Sequence, residues 1–240
     1  MLRYRSTNVI RHSFDRFDRL RVGDRLYNIA DMAIIKHHHE GNVVQFRGRG
    51  TRAQLREALG ERAPVQIARE RVSLGLVHGY VIGLSNEFCL VAEVSEAMRF
   101  DGFVALAIGD INAVEQDPGR KFVERALQIN EQQLPQLDDF KLDNWQSIAE
   151  SAARRTPLIS LNMLDDELGE VSYVGRLTGA EPEALILQEV DPNATWYPDT
   201  GAYDYADIGS IGFGTEYMLM LARIAGVPPM PLPPEAMPAS

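Results

Sequence analysis

Val77-His78-Gly79-Tyr80-Val81-Ile82-Gly83 and Tyr173-Val174-Gly175-Arg176-Leu177-Thr178-Gly179 read as two versions of one stretch, and that likeness decides how the chain is understood. Continued without a gap, Glu87 meets Glu183, and Cys89-Leu90-Val91-Ala92-Glu93-Val94 meets Leu185-Ile186-Leu187-Gln188-Glu189-Val190. Between Val77 and Val94 the two glycines, Glu87, Glu93 and Val94 recur unchanged, and most apolar positions correspond. An internal repeat outranks every other sequence signal, because overlooking one misreads the whole fold.

The match extends outward in order. Downstream, Asp110-Ile111-Asn112-Ala113-Val114 parallels Asp207-Ile208-Gly209-Ser210-Ile211, and Gly119 to Val123 parallels Gly214 to Met218. Upstream, Arg62-Ala63-Pro64-Val65 parallels Arg155-Thr156-Pro157-Leu158. Collinearity carries the case. It predicts four segments: a basic arm over 1–50, one unit over 51–134, a second over 143–226, and a proline-rich tail over 227–240 that is extended and mobile.

Each unit opens with a helix. Thr51 with Gln54, and Asp143 with Gln146, have capping-box spacing. Gly60 is placed to stop the first helix. Trp145, Ile148, Ala149 and Ala152 form an apolar stripe in the second copy. Runs rich in β-branched and apolar residues then predict strands over 77–84, 88–94, 103–108 and 111–114, separated by turns at Ser85-Asn86-Glu87, Asp101-Gly102 and Gly109-Asp110. A closing helix follows, capped by Asp117, with Phe122, Ala126 and Ile129 inward in one copy and Tyr217, Leu221 and Ile224 in the other. Many short strands with frequent turns predict closure, because closure hides strand edges. The expected fold is α+β, an internal duplication of a small, strongly bent β-barrel with flanking helices. In the arm, Ala33-Ile34-Ile35 and Asn42 to Phe46 are placed to pair as a hairpin around Glu40-Gly41.

Gly79-Tyr80-Val81-Ile82-Gly83-Leu84, Ile108-Gly109-Asp110-Ile111-Asn112-Ala113-Val114 and Ala206-Asp207-Ile208-Gly209-Ser210-Ile211 resemble the strand and turn order of the Sm-like and SH3-like small barrels. The resemblance covers some fifty residues per unit. It implies a tandem small-barrel binding module. It does not extend to the RNA-contacting turns: Ser85-Asn86-Glu87-Phe88 and Glu181-Pro182-Glu183-Ala184 stand where Sm proteins carry Asp and Asn, and Asp110 and Asp207 stand near their Arg-Gly.

Charge is unevenly spread over the 240 residues, whose net is −10. Residues 1–60 hold twelve Lys and Arg against six Asp and Glu; the remainder holds twelve against 28. The acidic body repels nucleic acid at long range, while the arm, with Phe46, Arg47, Arg49 and Arg52, is the candidate for contacting it. Asp110, Asp207, Glu93 and Glu189 are duplicated acids and the candidate ligand-binding set, although turn aspartates more often satisfy local backbone. His37-His38-His39 are considered for metal and set aside, because consecutive strand residues face opposite ways. Cys89, the single cysteine, sits in an apolar run and reads as core.

No nucleotide, hydrolase or zinc motif is present, and no apolar run approaches a membrane span. The sequence therefore reads as a cytoplasmic binding or adaptor protein without catalysis or cofactor, whose partner is a protein. The alternatives are an RNA- or DNA-binding regulator using the arm, and an enzyme with an acidic site between the units.

Overall fold

The structure, a computed structural model, describes residues 19–22, 25–28, 50–69, 73–165 and 169–230. The chain divides into two compact units, residues 1–43 and 44–240. The first is described only as an antiparallel hairpin of β1 (Arg19–Val22) and β2 (Arg25–Asn28), in the register Arg19↔Asn28 to Val22↔Arg25. The expected hairpin around Glu40-Gly41, His37-His38-His39, and Phe46, Arg47 and Arg49 lie outside the described residues, as does the tail beyond Met230.

The second unit runs in the order α1 (Thr51–Glu61), β3 (Pro64–Arg69), β4 (Ser73–Leu84), β5 (Phe88–Val94), β6 (Phe100–Ala107), a 3-10 turn at Ile108–Asp110, β7 (Ala113–Gln116) and α2 (Arg120–Ile129). It continues with α3 (Trp145–Ala153), β8 (Ile159–Asp165), β9 (Gly169–Ala180), β10 (Ala184–Val190), β11 (Trp196–Asp204), a 3-10 turn at Tyr205–Asp207, β12 (Ile208–Phe213) and α4 (Glu216–Ala225). The succession helix, four strands, 3-10 turn, strand, helix occurs twice.

The strands do not close into two barrels. They form one ten-stranded antiparallel sheet in the order β11-β10-β9-β8-β12-β6-β5-β4-β3-β7. The expected duplicated barrel is overturned by the pairing of β6 with β12, Ser210↔Leu106 through Phe213↔Phe103. A barrel would satisfy that edge of β6 within its own half; here it belongs to the other half. Edge strands must pair or be shielded, and the chain meets that need by joining its two strand sets in a single ladder.

The cores merge for the same reason. Phe88, Leu90 and Ala105 of the first set lie in one cluster with Trp145, Ile148, Leu161, Leu187, Ile211 and Phe213. Phe88 and Trp145 meet edge to face at 4.7 Å. Phe213 stacks on Phe103 at 5.1 Å and on Phe140, from the connecting segment, at 5.3 Å. Burying one such ring stabilises the fold by about 2–3 kcal/mol. A separate cluster under α1 gathers Leu55, Val65, Ile67, Cys89, Val91, Leu106 and Val114.

Two glycines explain the strand crossings. A Cβ on Gly79 would strike the Ala92 carbonyl, and one on Gly175 would lie 2.5 Å from the Gln188 carbonyl. Both glycines sit opposite a glutamate, in the pairs Gly79↔Glu93 and Gly175↔Glu189. The repeated glycines of the sequence thus mark close backbone approach.

Several local expectations are corrected. Thr51 does not cap α1; Gly50 holds the N-cap position without a side-chain bond, and Arg62, at φ 51°, ends the helix rather than Gly60. Asn144, not Asp143, caps α3 and forms a capping box with Ser147. Asp101-Gly102 is no turn but part of β6, where the register with β5 shifts and Gly102 has φ +83°. The inward faces of α2 and α4 are also shifted in part: Leu221 is buried as expected, but Val123, Leu127 and Met218 are buried where Phe122, Ile129, Tyr217 and Ile224 were expected.

Candidate functional site

Arg69 follows Val65 and Ile67 on the core-facing side of β3, so its guanidinium is carried into the interior. There its Nη1 donates to the Gly209 carbonyl of β12 at 3.1 Å. Glu93 lies close by on β5. Burial is the main force raising its carboxyl to about 7; the negative charge of Asp101 raises it further and Arg69 opposes the shift. Desolvation of this kind disfavours the charged form. Asp101 in turn accepts the Glu216 backbone N–H at 2.7 Å, at the start of α4. Residues from both strand sets therefore converge where β6 meets β12.

Glu189 occupies the same register position in the second set, with different surroundings. It accepts a hydrogen bond from the Tyr203 hydroxyl at 2.5 Å. Burial, and then the Glu189 charge, hold that phenol well above its ordinary range. The two duplicated glutamates thus do different work: one is a buried carboxyl beside an arginine, the other an acceptor that anchors a core tyrosine.

Asp110 and Asp207 end equivalent 3-10 turns, each closed by a backbone bond, Ile111 N–H to Ile108 at 3.2 Å in the first. Arg52 is held internally: its Nη2 reaches the Ser85 carbonyl at 3.4 Å and the Asn86 side chain, fastening α1 to the β4–β5 turn. Cys89 is fully buried and its thiol is pushed up to about 12 by burial, which removes it as a nucleophile. Among the described residues, no three His, Cys, Asp or Glu side chains gather as a metal site, and no helix is long and apolar enough to cross a membrane.

The sequence reading missed one pairing. His78 Nε2 on β4 lies 2.5 Å from Asp117 Oδ2. Asp117 is only 7% exposed; its Oδ1 accepts the Gly119 N–H at 2.5 Å, and Gln66 Nε2 reaches its Oδ2 at 3.4 Å. A carboxylate that fixes an imidazole is a proton-handling arrangement in principle. Here it also clamps the turn before α2 onto the sheet. Asp117 had the sequence marks of a helix cap, and nothing in the spacing connected it with His78.

The outward helix faces were the other omission. Phe122 and Ile129, seven residues apart on α2, are 66% and 67% exposed; Tyr217 and Ile224, seven apart on α4, are 54% and 68% exposed. Met220 joins the second stripe. Phe122, Ile129, Tyr217 and Ile224 are residues whose periodicity suggested an inward face. Leu221 of that stripe is buried, but Val123, Leu127 and Met218 take the place of the other four, which are turned to the surface.

No protein-family model, curated protein or solved structure matches the chain.

Proposed function

We propose that the chain is a non-catalytic adaptor that grips a protein partner at two equivalent places. The observation that carries this reading is the pair of outward apolar stripes, Phe122 with Ile129 and Tyr217 with Ile224, at matching positions of α2 and α4. Exposed apolar surface of this sort marks interaction sites. Two copies on one rigid sheet favour bivalent engagement, in which the second contact forms at high effective concentration. The partner is read as a protein because the body is acidic and Arg52, the one described residue of the nucleic-acid candidates, is engaged internally. A cytoplasmic setting belongs to the same reading, with its only cysteine buried.

The test is retention of partners from native lysate by the wild type, by Phe122→Glu, by Ile224→Glu and by the double variant. Bivalence predicts partial loss of one specific partner in each single variant and complete loss in the double. Retention of no specific protein, or an unchanged set on the double variant, overturns it.

A further inference from the structure

We infer that the free chain is a two-fold dimer in which α4 of one copy packs antiparallel against α4 of a second copy. The inference rests on reading the α4 stripe as an interaction surface and names what covers it; the adaptor's external partner competes with the second copy for that face.

Among the described residues, exposed apolar surface is concentrated at α4 and just beyond it. Six of the eleven large apolar side chains that stand exposed lie between Tyr217 and Met230: Tyr217, Leu219, Met220, Ile224, Val227 and Met230. Together they offer apolar surface on the order of the 800 Å² that a standard interface takes from each side. A patch of that size rarely stays bare on a monomer. Tyr217, Met220 and Ile224 are spaced three and then four residues apart, which lines them up as a seam for another helix.

Charge selects the occupant. From Glu216 to Met230 the chain holds one acid, Glu216, and one base, Arg223. Both are exposed, and they stand seven residues apart on one flank of the seam. In a two-fold contact, whatever one residue meets on the second copy is met in return. An antiparallel α4 pair crossing at Met220 therefore places Tyr217 against Ile224 and Glu216 against Arg223, twice over, with Met220 on its own counterpart. The seam is complementary to itself.

The other helix is an internal control. In the repeat, Lys121, Phe122, Arg125, Gln128 and Ile129 of α2 stand where α4 has Glu216, Tyr217, Met220, Arg223 and Ile224. The outer apolar pair is kept, but the self-complementarity is not. The same two-fold would bring Arg125 onto Arg125 and set Lys121 against Gln128. Like charges pressed together in an interface are unfavourable. In the dimer α4 is covered and α2 stays open.

The experiment measures the mass of the purified full chain at micromolar concentration by sedimentation and native mass spectrometry. The wild type is expected at twice 26.8 kDa. Met220→Arg, which gives α4 the charge that α2 carries, is expected at the monomer mass with unchanged circular dichroism. Should that variant misfold, Met220→Cys and Arg125→Cys are compared under mild oxidation; Cys89 is buried and does not interfere. A disulfide-linked dimer in the first and not in the second supports the seam. Equal linkage in both, or none in Met220→Cys, refutes it. A wild type at any other mass, or a dimer that persists in folded Met220→Arg, overturns the inference. Only this chain is in the sample, so a monomeric wild type leaves the adaptor reading to its own lysate test, and failure of that test leaves the dimer standing.

Discussion

Asp101 and Glu216 are 115 residues apart, yet the carboxylate of the first accepts the backbone N–H of the second at 2.7 Å. A residue of β6 thus caps a helix that follows β12, fixing α4 at the junction of the two strand sets. Thr215 supplies the other cap, its hydroxyl accepting the Met218 N–H at 3.2 Å. Asp101→Ala is expected to lower stability by about 1 kcal/mol, as for loss of a helix cap, measured by urea unfolding. It should also reduce hydrogen-exchange protection in the first turn of α4. An unchanged exchange pattern there would contradict this role.

Glu93 should make stability depend on pH. Its folded carboxyl titrates at about 7 against a reference of 4.5. Between those values the folded state holds the proton that the unfolded state has released. Stability therefore falls as pH rises through this window, by at most about 3 kcal/mol if the whole shift is expressed. Glu93→Gln keeps the neutral shape and is expected to flatten that slope and stabilise the protein above neutrality. Melting profiles of both proteins between pH 4 and 8, roughly the span of ordinary protein titration, check it. Parallel curves would show that the burial of Glu93 is relieved some other way.

The glycines separate by their surroundings. Gly175→Ala places a methyl 2.5 Å from the Gln188 carbonyl, and Gly79→Ala collides with the Ala92 carbonyl. Backbone cannot yield as a side chain can, so each should cost about 2 kcal/mol or more. Gly60, within α1, has nothing within 4 Å of an added Cβ. There the same change should stabilise by about 0.5–1 kcal/mol through helix propensity. Chemical denaturation of the three variants is expected to give opposite signs for Gly60→Ala and for the two strand variants.

Asp117 holds three partners in a nearly buried position. Asp117→Ala leaves the Gly119 N–H without its acceptor and removes the carboxylate beside His78, and is expected to cost about 2–3 kcal/mol. His78→Ala removes one partner and should cost less. A double-mutant cycle should return a coupling of about 1 kcal/mol; additivity would mean that the 2.5 Å contact contributes nothing of its own.

The strands and their turns were largely legible, because apolar, β-branched runs bounded by Gly, Asn and Asp state them locally. Phe88–Val94 has the expected limits, and the 3-10 turns fall at the expected Gly109-Asp110 and its counterpart. What the sequence could not state was which strand pairs with which across the repeats. Closure of each set and pairing between sets use the same alternation, and the choice lies in β6 meeting β12. The helix faces misled for a related reason. Phe122 and Ile129 share a face, as do Val123 and Leu127, and periodicity alone does not say which is covered. Of the duplicated acids, Glu93 and Glu189 were visible as a pair, but their divergence was not, since it depends on Arg69 and Tyr203 arriving from other strands.

The β6–β12 ladder has a consequence for how such a chain can change over generations. Two untethered strand sets of this kind would have to find each other's edges in solution each time they joined. Once a peptide connection holds one pair of edges together, that pair is freed from its twin. Phe103 and Phe213 have become stacked rings at the permanent seam, while their counterparts Thr200 and Gln116 are polar. Tethering lets the joined seam harden into core.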